Sequence, residues 1–183
     1  MVAFYQLCMS GPVFLEGTDV SLRTIEEDDS EFFQQLVNNP RVRIPIGSVR
    51  AMNHAAEREW IESLDERAGT HLSVCVDNNS VGSISLKSPN EVDGVAELGY
   101  MIAPEQWNNG YATDAVEAIC GYAFDERRLN KVRADCYVTN PGSQRVLEKV
   151  GFTQEGRFRE EAFVEGEHVD VLRYGLLAAE YCG

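Results

Sequence analysis

The sequence predicts one α/β domain on a mixed, mostly antiparallel sheet of about seven strands with about four helices. Two observations carry this. Turn-rich breaks at Asp77-Asn78-Asn79 and across residues 89–94 separate three strand-like runs, and such short connections imply an antiparallel meander. A strongly amphipathic helical run lies between the runs at residues 95–102 and 132–138, which makes those two strands parallel neighbours joined by a right-handed crossover. Length sets the domain count, since 183 residues fit one domain at roughly 100–200 residues each. No repeat, low-complexity tract or linker divides residues 13–183, and residues 1–12 read as a loose leader.

In chain order, residues 13–15 and 20–24 are expected to form a short strand pair turned at Glu16-Gly17-Thr18-Asp19. A helix follows. Acidic residues 26–29 crowd its first turn, where they favour the helix dipole, and Phe32, Phe33, Leu36 and Val37 supply its apolar face. Asn38-Asn39-Pro40 stops it. Asn53 can cap a second helix, whose Ala56, Trp60, Ile61 and Leu64 recur at helical spacing. Strands over residues 72–76, 81–86 and 95–102 come next. The third helix is the clearest element, because Ala112, Ala115, Val116, Ile119, Cys120 and Ala123 fall at i, i+3, i+4, i+7, i+8 and i+11, with Asp114 and Glu117 outward. After a buried strand over residues 132–138, Asn140 caps a fourth helix, Pro141 takes its first position and Gly151 lies just beyond its end. Residues 152–159 and 169–177, joined around Gly166, close the domain as an antiparallel pair.

Composition removes several classes of function. With 44% hydrophobic and 25% charged residues the chain can bury a core, which excludes disordered and disulfide-scaffold classes. The 30 Asp+Glu against 16 Lys+Arg give a net charge of −14, and Lys87, Lys131 and Lys149 are the only lysines. That field repels a phosphate polyanion and no basic stripe offsets it, so no nucleic-acid partner is expected. The acidity reads first as a halophilic adaptation to high salt, and second as steering of a cationic substrate. Cys8, Cys75, Cys120, Cys136 and Cys182 are odd in number, far apart and free of C-x-x-C spacing, which reads as reduced thiols in a cytoplasmic protein. The first basic residue is Arg23, so a secretory leader is not expected. No run approaches the roughly 20 apolar residues of a membrane helix, and no membrane association is expected. His54, His71 and His168 lack ligand spacing, so no metal site is expected either.

The segment Gln106-Trp107-Asn108-Asn109-Gly110-Tyr111-Ala112 lies between the end of a strand and the start of the third helix. Unpaired backbone N–H groups and the positive end of the dipole converge at such a junction, and Gly110 would let an anion approach the chain. A turn glycine before a helix is the plain alternative. Glu97 sits on one face of a central strand, where a carboxylate is costly unless it is paired or faces a wet cleft. It reads either as half of a salt bridge or as a general base. Asn140 reads as an N-cap, Ser143 as an early-helix hydroxyl, and Trp60 and Tyr100 as core aromatics. Arg145 and Lys149, four residues apart, read as an exposed pair.

Taken together, Ala96-Glu97-Leu98-Gly99-Tyr100-Met101-Ile102, Trp107 to Ala112, and Asn140-Pro141-Gly142-Ser143 followed by Val146-Leu147-Glu148-Lys149-Val150-Gly151-Phe152 resemble the GNAT N-acetyltransferase superfamily. The resemblance is strongest to the branch of the ribosomal-protein N-terminal acetyltransferases. It implies a GNAT-like sheet whose central parallel pair splays for acyl-CoA, with acetyl-CoA as co-substrate. It also implies a primary amine acceptor, first of all a protein or peptide N-terminus, otherwise a small amine, in a monomer or homodimer. A non-catalytic acyl-CoA-binding module is the reading from another class, and the presence of both Glu97 and Ser143 speaks against it. The implied cofactor-binding set is Tyr100, Met101, Ile102, Asn108, Asn109, Gly110, Tyr111, Ala112, Thr113, Asn140 and Ser143. Backbone N–H groups of Asn108 to Ala112 would hold the pyrophosphate. Trp107 stands where the superfamily more widely has Arg or Gln, and Asn109 where relatives often carry a cation. Glu97 is implied as general base through water. Ser143 is implied as the acid at the leaving thiolate, since the tyrosine many members place one turn later is Leu147 here. The acceptor wall is expected from residues 41–48 and 159–167.

Overall fold

A hairpin of β1 (Val13–Glu16) and β2 (Ser21–Thr24) opens the fold, followed by α1 (Ser30–Asn38), α2 (Pro40–Arg43) and α3 (His54–Glu62). The meander of β3 (Gly69–Val76), β4 (Asn79–Asn90) and β5 (Val95–Ile102) comes next. It leads through α4 (Tyr111–Gly121) to β6 (Lys131–Tyr137), α5 (Pro141–Val150), β7 (Thr153–Val164) and β8 (Glu167–Leu177). The computed structural model describes residues 10–181. Its eight strands form one sheet in the order β1-β2-β3-β4-β5-β6-β8-β7, antiparallel throughout except for the parallel pair β5 and β6. Eight strands thus meet the expectation of about seven, and the parallel pair is where the crossover argument put it.

Strand alternation divides the two faces. Leu72, Val74, Ile84, Leu86, Ala96, Leu98, Val132 and Ala134 point into the main core with Val116, Ile119 and Cys120 of α4 and Leu147 of α5. On the other face Phe33, Leu36, Val42 and Ile61 of α1–α3 form a second, smaller cluster, against which Met101 packs. The sheet is therefore covered by α4 and α5 on one side and partly by α1–α3 on the other, and the residues that face α1–α3 include Glu97 and Gly99.

Several local details differ from the sequence reading, each for a physical reason. Asn39 and Pro40 end α1 but also start α2, because the Asn39 side chain accepts from the Arg41 N–H at 3.0 Å and proline suits the first helical position. Asp29, expected only to favour the dipole, is fully buried and accepts from Ser10 Oγ at 2.9 Å and from the Glu26 N–H at 2.9 Å. The expected leader 1–12 lies outside the described residues as far as residue 9. Ser10 is buried, and Gly11 N–H donates to Thr24 O at 3.1 Å, so the fastened part begins earlier than residue 13. Asp114, read as merely outward, accepts from the backbone N–H groups of Thr18, Asp19 and Val20 at 2.7–2.8 Å and so ties the β1–β2 turn to α4. Cys75, Cys120 and Cys136 are free and buried; Cys8 and Cys182 lie outside the described residues.

Candidate active site

Strands β5 and β6 pair only through Val95↔Lys131, Ala96↔Val132 and Glu97↔Arg133. Beyond that point β5 keeps its pairing with β4 as far as Ile102↔Gly82, and β6 keeps its pairing with β8 as far as Tyr137↔Val171. The two strands therefore part while each stays anchored on its outer side. A cleft of about 870 Å³ opens in the gap, lined by residues 98–101 of β5 and 134–137 of β6. It passes through the sheet. Asn140 and Ser143 line it from the α5 side, and Trp60, Glu57, Ile46 and Met52 from the α1–α3 side.

On the α5 side, Tyr100 leaves β5 to place its hydroxyl 2.8 Å from Ser143 Oγ. Ser143 is fixed in turn by the cap, its N–H donating to Asn140 Oδ1 at 3.1 Å. Burial pushes the Tyr100 phenol well above its ordinary value, so it stays protonated. Cys136, in the same gap, is pushed up to about 11 by burial and by the nearby Asp135 carboxylate, partly opposed by a hydrogen bond to Ser143. Its thiol is therefore a poor nucleophile at neutral pH.

On the α1–α3 side the floor is polar in two cross-strand rows. His71, Ser85 and Gly99 stand in register across β3, β4 and β5, and Gly69, Lys87, Glu97 and Arg133 form the next row. Arg133 Nη2 donates to Glu97 Oε2 at 3.3 Å, with both side chains about two-fifths exposed. Glu97 is thus both a salt-bridge partner and a lining residue of the cleft. Trp60 meets the His71 ring edge to face at 6.1 Å. Burial, then the Lys87 and Arg67 charges, hold His71 below the ordinary histidine range, so its imidazole is neutral at pH 7. Glu57 of α3 is almost wholly buried at the cleft wall, and that burial raises its carboxyl.

At the carboxyl end of β5 the chain turns into α4 through left-handed conformations at Asn108 (φ 65°) and Gly110 (φ 89°). Trp107 pins this turn, its indole Nε1 donating to Ile102 O at 2.7 Å. Asn39, Asn53 and Asn140 cap α2, α3 and α5 with side-chain acceptors, whereas Gly110 stands at the N-cap of α4 and offers none. A Cβ built on Gly110 would meet nothing within 4 Å. The first N–H groups of α4, those of Tyr111, Ala112 and Thr113, therefore face open space at the positive end of the dipole, an arrangement fit for a phosphate.

The expected site residues divide accordingly. Glu97, Tyr100, Met101, Asn140 and Ser143 share the cleft. Ile102 is buried with its carbonyl held by Trp107. Asn108, Asn109, Gly110, Tyr111, Ala112 and Thr113 form the separate turn at the start of α4. Of the expected acceptor wall, Pro45, Ile46 and Ser48 line the cleft; the 159–167 stretch does not, and Val171 alone represents the last hairpin there. Trp60 and Tyr100, read as core, both stand on the cleft. His71, Lys87 and Glu57 escaped the sequence reading. Among the described residues, no three His, Cys, Asp or Glu side chains gather as a metal site. No described helix is long and apolar enough to cross a membrane.

This architecture defines an acyl-CoA N-acyltransferase, and residues 19–153 match the family described as Acetyltransferase (GNAT) domain. The chain is 30% identical over 172 residues to "Putative ribosomal N-acetyltransferase YdaF" of Bacillus subtilis, covering 90% of this chain and 94% of that one. It is 28% identical over 177 residues to the spermidine N(1)-acetyltransferase of Vibrio cholerae, covering 90% and 96%. The crystal structure of spermidine N-acetyltransferase from Vibrio cholerae in complex with CoA and spermine superposes with a TM-score of 0.83 at 27% identity, over 89% of this chain and 98% of that one. The chain belongs to the GNAT acetyltransferase family and is an N-acetyltransferase with acetyl-CoA as co-substrate.

Proposed function

We propose that the chain transfers the acetyl group of acetyl-CoA to the α-amine of a protein or peptide in the cytoplasm, by direct attack in a ternary complex. The observation that carries this reading is the cleft through the sheet, with Glu97 on one side and Ser143 on the other. Backbone N–H groups at residues 110–113 hold the pyrophosphate, Tyr100 and Met101 flank the pantetheine arm, and Asn140 orients Ser143. Glu97 accepts the proton of the attacking amine through water. Ser143, backed by the protonated Tyr100 hydroxyl, donates to the departing thiolate. An α-amine near pKa 7.7–8.0 is already partly neutral at pH 7, so a weak base such as an exposed carboxylate suffices, whereas an amine near 10.4 is almost wholly protonated.

The test is free-thiol release from acetyl-CoA with short peptides bearing free or blocked N-termini, the acetylated position being read by mass spectrometry. Thiol release confined to free N-termini is expected. Release with spermidine and none with any peptide would move the assignment to a small-amine acceptor, the activity named for the Vibrio cholerae relative.

A further inference from the structure

Two cations, Lys87 and Arg67, stand on the cleft without an ion-pair partner among the described residues, in a chain whose net charge is −14. Lys87, one of three lysines in a sequence of net charge −14, does not run straight across to its cross-strand neighbour Glu97. It folds over β5 so that its Nζ lies 2.8 Å, and its Cε 2.9 Å, from where a Cβ on Gly99 would stand, with Ser85 Oγ beside them. Gly99 belongs to the stretch where β5 has parted from β6, so the ammonium overhangs the opening itself.

The anions of the floor are already engaged, Glu97 by Arg133 and Asp135 by Arg173 at 2.7 Å. Lys87 has no ion-pair partner among the described residues, nor has Arg67, whose Nε donates to the neutral Ser63 Oγ. His71 faces both cations in neutral form. Glu57, on the α3 wall, is the remaining carboxyl group of the lining, and burial raises its pKa. In a cleft with low-dielectric walls such local charges outweigh the diffuse surface field, which solvent and salt screen.

Resting on the acetyl-transfer reading of this cleft, we infer that Lys87 selects an acceptor carrying a carboxylate near its nucleophilic amine, such as an acidic N-terminal segment or a free amino acid, and opposes polyamines. The amine attacks the thioester carbon, the C–S bond breaks, the thiolate takes a proton and the acceptor leaves as an amide. The carboxylate is not consumed; it holds the acceptor against Lys87. The acidic surface then serves no steering of the substrate, whose anionic group reaches its partner only inside the cleft.

The experiment compares wild type, Lys87→Met and Lys87→Glu in two readouts, with a pair of C-terminally amidated dipeptides that differ only as Asp or Asn at the first residue, so that the Asp side chain is the one carboxylate between them. The first is kcat/KM for thiol release. The second is calorimetric binding of the N-acetylated dipeptides to the enzyme with CoA, which needs no turnover. Wild type should favour the Asp member by about tenfold in both, the difference lying in KM, as a charge-assisted contact implies. Lys87→Met should bring the ratio near one, and Lys87→Glu should invert it. Equal binding of the two products by wild type, or a preference that survives in Lys87→Met, would overturn the inference. Loss of turnover with the binding preference intact would instead refute the acetyl-transfer reading while leaving the Lys87 contact established.

Discussion

Glu97→Gln is expected to lower kcat by about 10²-fold at pH 7, within the usual range for removal of one acid–base group. The effect should shrink as pH rises from 6 to 9, because an α-amine with pKa near 7.7–8.0 loses its proton to solvent over that window and no longer needs the carboxylate. His71 will not confuse the reading. Burial and the neighbouring Lys87 and Arg67 charges hold its pKa below the ordinary value, so it is neutral on the alkaline side and adds no ionisation there. Ser143→Ala should also lower kcat, but without alkaline rescue, because a lost donor to the thiolate is not replaced by a more neutral amine. Both variants should keep CoA affinity within a few-fold. Full activity of Glu97→Gln from pH 6 to 9 would reduce Glu97 to the partner of Arg133 and leave catalysis to positioning of amine against thioester.

Gly110→Val should weaken CoA binding at least tenfold, about 1.4 kcal/mol. The space that a Cβ at Gly110 would enter is empty of protein atoms, and it lies over the uncapped N–H groups of α4, so a branched side chain there competes with the phosphate rather than with the fold. Valine also strains a backbone at φ 89°, and Gly110→Asn separates the two effects, since asparagine tolerates the left-handed conformation. Both variants should retain the circular dichroism of the parent, and both should lose affinity in calorimetry. Unchanged affinity in either would place the pyrophosphate elsewhere.

How far the site could be read from the sequence depended on whether each signal was local. Helix α4 and the capped α5 are long, periodic and punctuated by Gly110, Asn140, Pro141 and Gly151, so local chemistry specifies them. The parallel pair followed from the crossover rule. The point where β5 and β6 part did not, because the loss of inner pairing after Glu97↔Arg133 is a matter of register between segments 36 residues apart. The same limit hid His71 and Lys87. Each looks like an isolated polar residue in its own strand, and only the registers His71↔Ser85↔Gly99 and Lys87↔Glu97 bring them together. A signal was nonetheless present: β3, β4 and β5 each alternate buried apolar residues with His71, Ser73, Ser83, Ser85, Lys87, Glu97 or Gly99. Three successive strands with one polar face require polar protein groups, water or a ligand over that face; Ser10 and Ser80 meet Ser73, and the cleft lies over His71, Ser85, Lys87 and Gly99. Trp60 was misread for a related reason, since its helical spacing with Ile61 and Leu64 marks the inner side of α3 without telling core from cleft wall.

Direct transfer within one ternary complex is the central claim, and the initial-velocity pattern tests it most directly. Cys136 is the thiol in the cleft that could carry an acetyl group in a two-step route, and its pKa of about 11 keeps it protonated at neutral pH. With acetyl-CoA varied at several fixed concentrations of a peptide acceptor, double-reciprocal lines should intersect, and enzyme incubated with acetyl-CoA alone should gain no 42 Da adduct, roughly the mass of one acetyl group. Parallel lines, with an acetylated enzyme seen by mass spectrometry, would contradict the account.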